Sequence, residues 1–235
     1  MRRVLALQHH GCETLGVIAD ELQRVGIGWS YCSGAEQRCA CVSVSDAHGL
    51  IVLGGPFSVH HRDRYPFIEN EMRMIRQALN LGKPVLGICL GSQMLAAVLG
   101  AGVWAAPSPE IGWLPVRLEE SARSDRLFHD LPTSFVTCVW HGDIFDLPAG
   151  AVSLARSDLT TCQAYRYGAN AYGLLFHLEM KREMVAACVN AFEPRLRQVG
   201  VDPRHCVAEA RDYLTALGPV ASTVFGRWAE LVLSQ

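Results

Sequence analysis

No run of eighteen apolar residues occurs in the 235-residue chain, so it holds no candidate membrane-spanning helix. The most apolar window, Met94 to Ala106, is shorter, rich in Ala and Gly, and runs into Pro107. The start, MRRVLALQHHGC, has two arginines but only four apolar residues before Gln8, too few for a signal peptide. A cytoplasmic location is the expectation, and there the nine cysteines are expected as reduced thiols. A charge excess is missing too. Lys plus Arg is 21, Asp plus Glu is 23, and the net charge is −2. That excludes the basic footprint of a nucleic-acid binder and the charge imbalance of a disordered chain. Neither a G-x-x-x-x-G-K-[ST] phosphate loop nor a G-x-G-x-x-G dinucleotide fingerprint is present. Cys39 and Cys41 form a C-x-C without a second pair at zinc-finger spacing, so no metal and no cofactor is expected. There is no repeat, no low-complexity tract and no linker.

What is present is an alternation. Arg3–Leu7, Ile27–Tyr31, Ala40–Val44, Leu50–Leu53 and Pro84–Ile88 read as strands, the second and third of them weak. Thr14–Val25, Tyr65–Leu81 and Gly91–Leu99 read as helices, with apolar residues such as Ile68, Met72, Ile75 and Leu79 on one stripe. This rhythm predicts an α/β fold, a three-layer sandwich with a mostly parallel central sheet. After Gly100 come five more strands, over 113–118, 135–140, 151–155, 162–166 and 172–176. Lys181–Gln198, Pro203–Leu217 and Pro219–Leu233 read as three helices. One domain over 1–235 is expected, with a core of about 3–190 and a C-terminal helical extension of about 191–235. The apolar stripe of Val220, Val224, Phe225, Trp228 and Leu231 is expected to cap that core.

The most informative segment is Pro84-Val85-Leu86-Gly87-Ile88-Cys89-Leu90-Gly91-Ser92-Gln93. A buried strand ends at a cysteine flanked by glycines two residues away on each side, and a helix follows. That is the pattern of a nucleophile elbow. The sharp turn lifts the sulfur above the sheet, and the helix N-terminus favours a thiolate and an oxyanion. The Leu90 amide is then one oxyanion donor. A cysteine nucleophile needs a base, and the base needs an orienting group. His177 and Glu179, at spacing two after a strand, project to the same side of an extended chain. The chain order is Cys, His, Glu. An α/β-hydrolase runs nucleophile, acid, histidine, and beyond Glu179 only His205 remains.

These residues resemble the class I glutamine amidotransferases with a Cys-His-Glu triad. Within that family the chain is most similar to stand-alone proteins resembling the amidotransferase half of GMP synthase. The family's G-x-C-x-G-x-Q elbow is matched by Gly87, Cys89, Gly91 and Gln93. Its G-G-P segment is matched by Gly54-Gly55-Pro56, which implies Gly55 as the second oxyanion donor. Trp140-His141-Gly142-Asp143 matches the segment that helps hold the glutamine α-groups, which implies substrate-binding roles for His141, Gly142 and Asp143, with Gln93. Glu110-Ile111-Gly112-Trp113 resembles a further subfamily segment. Around the base, Gly173, Phe176, His177 and Glu179 match, whereas Leu175 and Leu178 stand where the family has Gln and Pro. The resemblance runs from about residue 3 to 190 and implies a flavodoxin-like fold.

The implied reaction is hydrolysis of the glutamine side-chain amide through a Cys89 glutamyl-thioester, giving glutamate and ammonia. The chain is too short to include a synthase. The resemblance therefore implies a separate ammonia-accepting synthase subunit. With no acceptor, the same triad would make a γ-glutamyl amide or peptide hydrolase. A third reading is a non-catalytic partner-binding protein that kept the fold, since fold alone settles no function. A live triad should make Cys89 the fastest of the nine thiols. His9 and His10, near the expected active edge, and His60-His61 are given no role.

Overall fold

The computed structural model describes residues 2–34 and 43–235. Five short strands form the parallel half of a nine-stranded sheet: β1 (Arg3–Leu7), β2 (Gly28–Cys32) at its edge, β3 (Gly49–Val52), β4 (Val85–Ile88) and β9 (Ala171–Leu174). The remaining strands are β5 (Val103–Leu118), β6 (Ser134–Phe145), β7 (Ala151–Arg156) and β8 (Ala164–Tyr167). The order is β2-β1-β3-β4-β9-β8-β7-β5-β6. Pairings from β2 to β9 are parallel, and those from β9 to β6 are antiparallel. The sheet is therefore mixed: a parallel half carries an antiparallel extension.

β3, β4 and β9 are buried along their whole length, as strands of a parallel sheet covered on both faces must be. Alternate residues feed opposite layers. Val4, Ile51 and Leu86 meet one face, where α1 (Val17–Arg24) and the second half of α5 (Pro203–Leu233) pack. Leu5, Leu50 and Val85 meet the other, under α2 (Pro66–Asn80) and α3 (Leu90–Val98). A third cluster joins α4 (Arg182–Gln198) and the first half of α5 to the β5–β6 hairpin through Val185, Val189 and Ala210.

Three expectations change. The strands expected over 113–118 and 135–140 are the inner parts of a hairpin of 16 and 12 residues. Pro107 and Pro109 survive in β5 because β7 pairs with it only at Arg117 and Leu118, leaving most of one edge free. The two helices expected over 203–217 and 219–233 are one helix of 31 residues with Pro219 inside. An interior proline costs about 3 kcal/mol. Both halves of α5 bury apolar faces, and that packing outweighs the break. Cys32 is disulfide-bonded, against the expectation of nine reduced thiols. Redox poise alone does not decide a disulfide, which also depends on which sulfurs the fold brings together. Cys12, Cys89, Cys138, Cys162, Cys188 and Cys206 are free.

Cys39, Cys41 and most of the weak strand expected over 40–44 lie outside the described residues; Val44 itself opens a 3-10 turn, Val44–Asp46. Val220, Val224, Phe225, Trp228 and Leu231 are buried in the main core, as the stripe implied. Among the described residues no helix is long and apolar enough to cross a membrane.

Candidate active site

β4 ends at Cys89, whose φ of 49° and ψ of −108° fit neither strand nor helix. Such a conformation is strained for a residue with a Cβ and is held by its surroundings. The Cys89 N–H donates to Leu174 O at 2.7 Å, and α3 starts at the next residue. The flanking glycines are steric necessities. A Cβ on Gly91 would lie 2.0 Å from Val52 O, and one on Gly87 would lie 2.5 Å from Gly91 O.

β9 delivers the base. The His177 N–H donates to Cys138 O at 2.8 Å, and the His177 carbonyl accepts from Thr137 Oγ1 at 2.8 Å. Both anchors lie on β6, so the ring is placed by two strands. Its Nδ1 stands 2.6 Å from Glu179 Oε1, and both side chains are buried. The Cys89 thiol lines the same cavity as the ring and donates to Trp140 O at 3.5 Å. Burial alone would push the His177 pKa down. The Glu179 charge and the bonds to Cys89 and Glu179 outweigh it, holding the pKa well above the usual value. The Glu179 carbonyl in turn accepts from Val17 N–H at 2.9 Å at the start of α1.

Cys89 and His177 open into a cavity of about 540 Å³. Gly55 and Leu90 line it. Among the described residues neither backbone N–H has a hydrogen-bond partner, as an oxyanion site requires. A Cβ on Gly54 would stand 3.2 Å from His177 Cε1 and 3.5 Å from Cys89 Cβ, which sets the Gly54-Gly55 segment against the Cys–His pair.

Gln93, His141, Gly142 and Asp143 also reach the cavity wall. The Gln93 Nε2 donates to Asp143 O at 3.1 Å, and the Asp143 carboxylate accepts from Ser58 Oγ at 2.6 Å. His141 Nε2 lies 3.2 Å from Gln163 Nε2 and 3.5 Å from Glu110 Oε2. Burial, with the nearby His177 charge, lowers the His141 pKa to about 3, so this ring is neutral and makes no ion pair.

Three further groups carried no motif. His9 is buried at the end of β1, with Nδ1 2.7 Å from Gly54 O and Nε2 2.7 Å from Glu71 Oε2 on α2. Both partners are acceptors, so the ring needs both protons. Burial opposes this, yet the Glu71 charge and bond raise the His9 pKa. Glu13 lines the cavity, its Oε2 buried without a partner among the described residues. Burial lifts its pKa to about 7, against the pull of His177 and His9. Arg195 reaches the wall from α4, its guanidinium beside Gly142, and it is the one Lys or Arg among the lining residues. It gets there because α4 kinks at Phe192 (φ −116°, ψ 16°), just before Pro194. Pro194 inside a helix-like run was the only trace of this in the sequence.

A mixed α/β sheet whose parallel half carries a cysteine elbow beside a His–Glu pair defines the class of fold and site. The model of the family described as glutamine amidotransferase class-I matches residues 18–186. The chain belongs to that family. It is 33% identical over 199 residues to the glutamine amidotransferase-like protein YfeJ of Salmonella typhimurium, covering 83% of this chain and 82% of that one. It is 29% identical over 182 residues to GMP synthase [glutamine-hydrolyzing] of Chlorobaculum tepidum, covering 74% of this chain but 33% of the synthase. The crystal structure of a glutamine amidotransferase from Thermotoga maritima superposes with a TM-score of 0.90 at 30% identity, covering 97% of this chain and 98% of that one.

Proposed function

We propose that this protein hydrolyses the side-chain amide of glutamine, or of a close γ-glutamyl relative, through a thioester on Cys89. The observation that carries this is that Cys89 and His177 line one cavity while buried Glu179 holds His177 Nδ1 at 2.6 Å. The Cys89 thiol passes its proton to His177, and the sulfur attacks the amide carbon. The oxyanion that forms is held by the Gly55 and Leu90 N–H groups, whose lack of other partners supports the assignment. His177, held protonated beside Glu179, gives its proton to the departing ammonia. Water then attacks the thioester with His177 as base, releasing glutamate and the free thiol.

On the same reading the α-groups of the substrate lie along Gln93, His141, Gly142 and Asp143. Arg195 is the cation available to the α-carboxylate. The ammonia goes to a separate synthase subunit, a reading supported by the similarity to one third of a GMP synthase. The cavity volume keeps γ-glutamyl amides and peptides as a second reading, since about 540 Å³ lies within the range of pockets for ligands larger than an amino acid.

The test is glutamate release by the purified protein from glutamine and a panel of γ-glutamyl amides and peptides, beside Cys89→Ala. Release from glutamine that needs Cys89 is expected. Release mainly from the larger compounds moves the assignment to a γ-glutamyl hydrolase. Full activity of Cys89→Ala overturns the mechanism.

A further inference from the structure

We propose that Cys12 and Cys188 form a second reactive thiol centre, a dithiol that hydroperoxides oxidise to a disulfide beside the catalytic cavity. It does not depend on the glutaminase reading.

The two residues are 176 positions apart in sequence. Cys12 sits in the loop between β1 and α1, and Cys188 lies on α4. The fold brings their sulfurs to 2.9 Å, with the Cys188 thiol donating to Cys12 Sγ. That is inside the ~3.5–4.0 Å at which even carbon atoms rest in contact. A disulfide bond of ~2.05 Å needs an approach of less than about 1 Å. His10 Nδ1 stands 3.0 Å from Cys12 Sγ, and the imidazole leans on the Phe192 ring with centroids 4.9 Å apart. Cys12 is half-buried and open to a small oxidant, whereas Cys188 is buried and lines the wall of the catalytic cavity.

The environments divide the roles. The Cys188 bond, followed by His10, lowers the Cys12 pKa to about 6 despite burial. The same bond pushes Cys188 up. A thiolate in reach of solvent with a protonated thiol beside it is the arrangement of a peroxidatic and a resolving cysteine. Cys138 and Cys162 are the contrast: both are buried, and both are pushed up to about 12.

The chemistry closes with a hydroperoxide as the only oxidant. The Cys12 thiolate attacks the terminal peroxide oxygen. The S–O bond forms, the O–O bond breaks, and the alkoxide leaves as an alcohol after taking a proton. The Cys188 thiol then loses its proton and attacks the sulfenic sulfur. The S–S bond forms, the S–O bond breaks, and hydroxide leaves as water. Two thiols lose two electrons and two protons, and one hydroperoxide becomes one alcohol and one water. The product ties the loop carrying Glu13 to the helix carrying Arg195, both in the cavity wall.

The experiment treats the reduced full-length protein with tert-butyl hydroperoxide, alkylates the remaining thiols and maps the peptides. The expected result is joint loss of free Cys12 and Cys188 and a dithiothreitol-reversible Cys12–Cys188 cross-link. Cys188→Ser should stop at a sulfenic acid on Cys12 that dimedone traps. Cys12→Ser should leave Cys188 unoxidised. The proposal fails if Cys12 remains fully alkylatable after Cys89 has been consumed, or if Cys188→Ser gives no dimedone adduct at Cys12.

Discussion

His9 Nδ1 lies 2.7 Å from the Gly54 carbonyl oxygen, and this one bond orients the peptide that joins Gly54 to Gly55. In a trans peptide the C=O and the next N–H point in opposite directions. A Gly54 carbonyl turned to His9 therefore turns the Gly55 N–H the other way. Two successive glycines offer little side-chain resistance to a flip of that peptide. Glu71 holds the other side of the His9 ring at 2.7 Å.

Replacing His9 by Leu should lower kcat for glutamate release by up to about 10²–10³, the range for losing one oxyanion donor. KM should change little, since the donor acts on the tetrahedral intermediate. His9→Asn, whose amide can still donate to Gly54 O, should recover part of the loss. Steady-state kinetics of the two variants, with kcat corrected for the folded fraction, decide it; a rise in KM with kcat unchanged would place His9 in substrate binding instead.

Glu179→Gln should lower kcat by about 10²–10⁴, the span of general acid–base contributions. The Glu179 charge is what raises the His177 pKa against burial, so its removal lowers that pKa. His177 must be protonated to serve the leaving ammonia. The alkaline limb of the pH–rate profile should therefore move to lower pH. An unmoved limb would contradict the assignment.

Arg195→Ala should raise KM for glutamine about tenfold or more while leaving kcat nearly unchanged. A hydrogen bond to a charged group contributes about 1.5–3 kcal/mol, and one made equally in ground and transition states appears in KM alone. A fall in kcat without a change in KM would remove Arg195 from the substrate's binding groups.

Glu13 makes stability fall with pH. Its carboxyl holds a proton to about pH 7 in the fold, against a reference of 4.5. Between those values the folded chain binds more protons than the unfolded one, so unfolding becomes easier as pH rises. Glu13→Gln removes this term. The Tm advantage of the variant over the wild type should grow from pH 5 to pH 8, and differential scanning fluorimetry at both pH values measures it. A difference that does not change with pH would show that Glu13 titrates normally.

Trp228→Ala should destabilise the protein by about 3–5 kcal/mol. Trp228 is fully buried in the cluster that also holds Val4, Ile51 and Leu86. Urea unfolding measures it. A loss under about 1 kcal/mol would mean that α5 is an appendage of the core.

The oxidation chemistry bears on one cheap assay. The fastest thiol in the chain need not be Cys89, because Cys12 is more exposed and has a lowered pKa. Thiol reactivity speaks for the triad only when the alkylated peptide is identified.

Much of the site was legible in the chain because its constraints are local. Gly87 and Gly91 flank Cys89 because a Cβ at either place would strike backbone, and that pattern survives as letters two residues apart. His177 and Glu179 stand two residues apart just beyond β9, so their nearness was already visible as spacing. The buried strands β3 and β4 and the stripe of α2 follow from apolar runs and a 3.6-residue period. What the sequence could not disclose depends on residues far apart. Pro219 reads as a helix break until packing on both sides of it is counted. His9 reads as a loop histidine until Gly54 and Glu71, 45 and 62 positions away, close on its two nitrogens. Arg195 enters the cavity through a kink, and Cys12 meets Cys188 across 176 residues. Local sterics and periodicity are written into neighbouring residues. Proximity across the sheet, and the charge states it imposes on buried groups, exist only once the chain has folded.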